Sequence, residues 1–152
     1  MANGGKYSVL FEPVKIGPVT ARNRFYQVPH CCGLGHLRPR AHAAMRAMKA
    51  EGRWAVVSTE EAELHPSSDL SPYPEQRIWD DHDIPALRLM TEAVHDQGSL
   101  AAIELVHNGN HSANLMSRAP VLAPSDKSVD LIYPKQAREM DKSDIRAFRR
   151  WH

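Results

Sequence analysis

The 152-residue chain has only two cysteines, Cys31 and Cys32, and they are adjacent. Neighbouring cysteines cannot build a disulfide framework, so they matter as thiols: nucleophiles, metal ligands or small buried side chains. Carboxylates gather at Glu60, Glu61 and Glu63, and Glu104 lies near the end of an apolar run. Such groups accept N–H donors, pair with ammonium ions or move protons. An unpaired buried carboxylate is costly, so Glu104 reads as functional or as half of a structural ion pair. Glu60 and Glu63 read as local cap or ion-pair partners. His107 and His111 stand four apart, with Asn108, Gly109 and Asn110 between them. Those residues argue for a loop and not for a zinc-binding helix. Even with His30, Cys31, Cys32 and His36 the spacing matches no standard zinc pattern, and no metal is expected.

These residues must be positioned by regular elements. Gly17-Pro18 separates two short extended stretches, a hairpin signal, and Arg24–Val28 follows as a strand stopped by Pro29. After the glycine-bearing loop CCGLGHLRPR, Ala41, Ala44, Met45 and Met48 recur at helical spacing and predict a core-facing stripe. Gly52 ends that helix. Trp54–Thr59 is a short apolar strand of the kind buried in parallel sheets. A proline-bearing loop is expected from about Glu61 to Asp80, then a helix from near Asp83 with Ile84, Leu87, Met90 and Val94 inward. Leu100–Val106 predicts a third buried strand. The terminal MDKSDIRAFRRWH starts a helix capped by Asp141 or Ser143. Hairpin, then βα, βα, βα, argues for parallel strands with right-handed crossovers in one domain portion, residues 1–152.

In such folds ligands bind beyond the carboxyl ends of the strands. Those ends here are Pro29-His30-Cys31-Cys32, Thr59-Glu60-Glu61 and Glu104–His107, all rich in reactive groups. The amino ends, at Arg24, Arg53 and Ser99, are chemically bland. A net charge of +1 gives no reason to expect nucleic acid or an acidic membrane, and neither an apolar run approaching the roughly 20 residues needed to span a bilayer nor a signal peptide is evident. A cytoplasmic location is the default. A closed eight-stranded barrel needs about 250 residues, so the chain reads as a truncated, partial (β/α)8 barrel.

The run FEPVKIG…ARNRFYQVPHC, the strand ending STE, then ELVHNGNHS, Ser117-Arg118-Ala119-Pro120 and MDKSDI appear in order over almost the whole chain. Together they resemble the N-terminal part of the Old Yellow Enzyme-like FMN oxidoreductases. FYQVPHC, KAEG-WA and RIWD are most similar to the branch of trimethylamine, dimethylamine and histamine dehydrogenases. The resemblance implies a TIM barrel holding FMN, with Pro29, His30, Cys31, Glu61 and Glu104 around the flavin. It implies that the cysteine of the PHC motif, Cys31, is bonded to the ring, and that Glu104 hydrogen-bonds its pyrimidine edge. Where the trimethylamine enzyme has a cation-binding tyrosine, this chain has Glu61, which suits a primary or secondary amine or a diamine better.

The function so implied is oxidative deamination or dealkylation of a small amine, with hydride transfer to FMN in the full-length enzyme. Electrons then pass to an external acceptor through a [4Fe-4S] cluster held outside this chain, in an expected homo-oligomer. Catalytic residues lie beyond these 152 positions. Two alternatives stay open: an NADH:flavin oxidoreductase or ene-reductase with non-covalent FMN, and a non-catalytic truncated fragment.

Overall fold

The structure is a computed structural model that describes residues 5–127 and 136–152. A short antiparallel hairpin opens it, β1 (Val14–Ile16) against β2 (Val19–Ala21), turning at Gly17 with φ of +54°. The left-handed conformation at Gly17 is one that side chains other than glycine enter at a cost. The chain then enters the parallel sheet through β3 (Tyr26–Gln27). Helix α1 (Pro39–Glu51) leads back to the long strand β4 (Val56–Glu63), and α2 (Ile84–His95) to β6 (Leu100–Val106). Both β3 and β6 pair with β4 in parallel, so β4 lies between them. The carboxyl ends of the three strands therefore share one face, as the alternation of elements predicts.

Two elements lie where a loop is expected. Strand β4 continues to Glu63 instead of ending at Thr59, and Gln76–Arg77 forms β5, parallel to its last residues. The register along β6 slips between Ser58 and Glu61: three steps on β4 match two on β6. The extra residue is a β-bulge, the device that re-aims side chains near sites. The glutamate-rich stretch Glu60-Glu61-Ala62-Glu63 does not look like strand, but Glu61 pairs with β6, and Ala62 and Glu63 pair with both β5 and β6, which holds it extended. Beyond β6, β7 (Leu122–Ala123) pairs with β8 (Arg138–Glu139), and α3 (Lys142–Trp151) follows. Asp141 caps α3 in a capping box with Asp144.

The core lies between sheet and helices: Ala43 and Ala50 of α1, Val57 of β4, and Met90 and Val94 of α2. This corrects the expected face of α1. Met48 is 69% exposed, Ala41 and Ala44 are exposed, and the inward residues are His42, Ala43, Arg46 and Ala50. Small alanines let helix and strand approach closely. Arg46 reaches past them, donating from Nη1 to Gln27 Oε1 at 3.0 Å and from Nη2 to the His30 carbonyl at 2.6 Å. On α2, Met90 and Val94 are inward as expected, but Ile84 is exposed.

Strand β6 is not the buried strand its apolar sequence predicts. It stands at the edge of the described sheet, paired only with β4, and Ile103 and Leu105 are 42% and 40% exposed.

Candidate flavin site

The turn beyond β3, the last residues of β4 and the loop that enters β5 converge beyond the carboxyl end of β3. Beyond β3 the chain passes through Pro29 and His30 to Cys31, and the Arg46 contact to the His30 carbonyl anchors this turn to α1. The carboxylate of Glu60, wholly buried, holds the next turn. Its Oε1 accepts from the N–H groups of Cys32 (3.1 Å) and Leu34 (3.0 Å), and its Oε2 from that of Gly35 (3.3 Å). Glu60 is thus a loop clamp, the bland role its sequence suggests.

The reactive trio is Cys31, Glu61 and Glu75. One donor atom from each lies within 4.8 Å of the others. Cys31 is exposed, Glu61 half-buried, and Glu75 only 8% exposed with its Oε2 lacking any hydrogen-bond partner. Burial first, then the carboxylates of Glu75 and Glu61, pushes the Cys31 thiol up to about 12, against a hydrogen bond from the Glu61 backbone. Burial and the charges of Glu61 and Glu60 likewise push Glu75 up to about 7, although its hydrogen bond with Cys31 acts downward. In this arrangement Cys31 is a thiol, not a thiolate, at neutral pH. A cleft of about 460 Å³ opens beside it, lined by Cys31, Gly33, Leu37, Pro72, Tyr73 and Glu75.

Glu104 stands apart from the trio. Opposite Glu61 in the β4–β6 register, it is exposed on the open side of the sheet, and its N–H donates to Thr59 Oγ1 at 3.4 Å. The expectation of a buried Glu104 is therefore corrected: an edge strand leaves its side chain in solvent, with no desolvation cost to explain. His107 points elsewhere again. Its Nε2 lies 2.8 Å from Ser67 Oγ, whose other neighbour is His65 Nδ1 at 2.9 Å. Among the described residues, the one grouping of three potential metal ligands is the trio itself, which contains no histidine.

A larger hollow, about 660 Å³, lies at the opposite end of the strands among Phe11, Arg22, Phe25 and Trp54. It holds none of the nucleophilic or acidic groups. Arg22 is its structural centre, donating to the carbonyls of Ala50, Trp54 and Gln97 and to Ser99 Oγ. The thiols and the Glu75 carboxylate line the smaller cleft instead.

Residues 9–150 match the model of the NADH:flavin oxidoreductase / NADH oxidase family. The chain belongs to that family. Its members are FMN-dependent oxidoreductases, and within it the chain is close to amine dehydrogenases. A dimethylamine dehydrogenase of Hyphomicrobium sp. (strain x) is 45% identical over 125 residues, 82% of this chain and 17% of that protein. The structure of histamine dehydrogenase from Rhizobium sp. 4-9 superposes with a TM-score of 0.91 at 48% identity, covering 97% of this chain and 22% of that one. An NADPH dehydrogenase of Bacillus subtilis (strain 168) is 30% identical over 126 residues, 80% of this chain and 36% of that protein. The chain thus spans a minor part of each relative's length. Its open α/β sheet is a portion of the TIM-barrel architecture of these flavoenzymes.

The residues present fit an isoalloxazine ring. A thiol faces an open cleft, and buried Glu75 Oε2 is an acceptor that awaits a donor. Glu75 is the member of the trio that the sequence does not signal; it follows Pro72 and Pro74, where only a loop was expected.

Proposed function

We propose that the full-length protein oxidises a small amine, with FMN bonded covalently to Cys31. The flavin supplies a two-electron sink; the substrate leaves as an imine, which water hydrolyses to a carbonyl compound and the smaller amine or ammonia. The observation that carries the reading is the placement of Cys31: an exposed thiol at the carboxyl end of the first parallel strand, beside Glu61, in a chain close to amine dehydrogenases. Pro29 and His30 present backbone to one side of the ring, with Arg46 fixing the His30 carbonyl. Glu104, exposed and across the register from Glu61, would accept a ring N–H. Glu61 faces the substrate and pairs with its ammonium group, which favours primary and secondary amines and diamines.

A [4Fe-4S] cluster, held by cysteines elsewhere in the full-length protein, would supply the route for electrons to an external acceptor. The enzyme so proposed is homo-oligomeric and cytoplasmic. No helix among the described residues is long and apolar enough to cross a membrane. Denaturing the full-length protein tests the reading. Flavin absorbance that remains with the polypeptide, on the peptide containing Cys31, is the expected result. Flavin released to the supernatant favours the second reading, a non-covalent NAD(P)H:flavin reductase, which the 30% identity to an NADPH dehydrogenase supports.

A further inference from the structure

We propose that Glu75 is the base that takes the Cys31 proton when the flavin is attached, and so controls attachment; the inference rests on the reading of Cys31 given above. Geometry carries it. Glu75 is 8% exposed, its Oε2 has no hydrogen-bond partner, and its carboxylate lies with the Cys31 sulfur and a Glu61 oxygen inside 4.8 Å. A carboxylate held beside a nucleophilic thiol, at the floor of a cleft open to a planar ligand, is placed to accept its proton.

Attachment needs such a group. The Cys31 thiol keeps its proton far above neutral pH, so little thiolate preexists. Bond formation from sulfur to a ring carbon sends the thiol proton to Glu75. The hydrogen on that ring carbon departs as a proton, and the electron pair it leaves amounts to a two-electron reduction of the ring. Dissolved dioxygen takes that pair and leaves as hydrogen peroxide, so the oxidant for attachment is the air in the buffer. Glu75 is suited to receive a proton near neutrality because its surroundings raise it to about 7: burial, then Glu61, with Glu60 adding to the negative field. The groups facing the trio are these carboxylates together with Glu63, which also senses Glu75. Arg46 is the cation whose field reaches both cysteines, on the far side of the His30 turn.

The electrostatics make the test two-sided. Glu75 raises the Cys31 thiol, so Glu75→Gln makes the thiolate more available to a small electrophile. If Glu75 were only a neighbour, attachment would quicken with it. In flavin-free full-length protein, iodoacetamide labelling at Cys31 is followed by tandem mass spectrometry across pH 6 to 10, and covalent FMN incorporation by the mass of the denatured polypeptide. The expected result is labelling several-fold faster in E75Q while incorporation slows about a hundredfold at neutral pH, the usual size of a general-base contribution. Glu75→Asp, which keeps the carboxylate, recovers part of the incorporation rate. Incorporation in E75Q at or above the wild-type rate overturns the proposal. A wild-type protein that never retains FMN on denaturation overturns the attachment reading itself, and is distinguished because there both proteins lose their flavin.

Discussion

The sulfur of Cys32 lies 2.5 Å from Oε1 of Glu60, and this contact ties the turn after β3 to the middle of β4. With the N–H groups of Cys32, Leu34 and Gly35 on the same carboxylate, Glu60 is the joint that seats Cys31 at the cleft. Burial alone would push the Glu60 carboxyl up; the hydrogen bonds from Cys32 and Leu34 and the field of His42 outweigh it and hold the group below its ordinary value. A folded-state value below the unfolded one contributes stability above the ordinary carboxylate range, lost as pH falls through the depressed value. Glu60→Ala leaves several N–H donors unsatisfied and is expected to cost about 3 kcal/mol at pH 7. Denaturant melts of wild type and variant at pH 7 and pH 4 check it: the difference shrinks at the acid end.

Arg22 serves the opposite end of the strands. Its Nη2 reaches the Ala50 carbonyl (2.9 Å), the Trp54 carbonyl (3.2 Å) and Ser99 Oγ (2.9 Å), and its Nη1 the Gln97 carbonyl (3.0 Å). One guanidinium thus joins the end of α1, the start of β4 and the turn before β6. Lysine has a single nitrogen and cannot span that fork. Arg22→Lys is expected to cost about 2 kcal/mol, and Arg22→Ala somewhat more, by thermal unfolding. Covalent flavin content of whatever protein folds should not change, because Arg22 stands away from the cleft.

Much of the frame is legible in sequence because its signals are local. The limits of β6, Leu100–Val106, follow from its apolar run, and the Asp141 cap follows from its position before the terminal helical stretch. The bulge in β4 and the pairing of β5 are not local; they arise when polar segments meet partners distant in sequence. The face of α1 misled for a related reason. Methionine outranks alanine and arginine in hydrophobicity, yet close helix-to-strand approach selects Ala43 and Ala50, and Arg46 goes inward because Gln27 and the His30 carbonyl await it. Of the trio beside the cleft, Cys31 and Glu61 are named from the sequence by the resemblance, Glu61 as a departure from it. Glu75 had no motif to mark it and became visible only when the loop folded it under the thiol.

Glu63 is 1% exposed, and its listener is the Leu70 N–H, which donates at 3.0 Å. Burial pushes its carboxyl up to about 8, with Asp69 and Glu75 adding to the rise while the Leu70 bond and Arg77 oppose it. The folded state therefore holds a proton that the unfolded state releases at the ordinary carboxylate value. Stability from this group is full below that value and is lost as pH climbs toward 8. Glu75 acts in the same direction, up to about 7. The melting temperature should fall between pH 5 and pH 8, and Glu63→Gln should flatten that slope, gaining on the order of a few kcal/mol over wild type at pH 8. A slope unchanged in E63Q would assign the proton elsewhere.

The open edge of β6 carries its own expectation. With Ile103 and Leu105 both about two-fifths exposed beside unpaired strand backbone, the 152-residue chain by itself is expected to associate as concentration rises. Sedimentation velocity across a hundredfold concentration range reads this. Ile103→Lys with Leu105→Lys should restore the monomer, since edge lysines oppose strand addition. The same isolated chain should bind FMN weakly; a stoichiometrically yellow monomer would contradict both expectations.

On the amine-oxidising reading proposed above, Glu61 is the residue that sets substrate choice. A carboxylate recognises an ammonium through N–H hydrogen bonds, which a fully methylated amine offers least, whereas an aromatic ring recognises cationic methyl groups through its face. Glu61→Tyr in the full-length enzyme should shift the ratio of kcat/KM for trimethylamine over that for a primary amine upward by about tenfold to a hundredfold, since a desolvated cation–π contact is worth about 2 kcal/mol. Removing Glu61 also relieves one of the charges that raise Glu75. The variant's Glu75 therefore titrates lower, and its attachment rate should hold up at more acidic pH than in wild type. A substrate ratio that stays put while the attachment profile moves would assign Glu61 to the thiol and not to the amine.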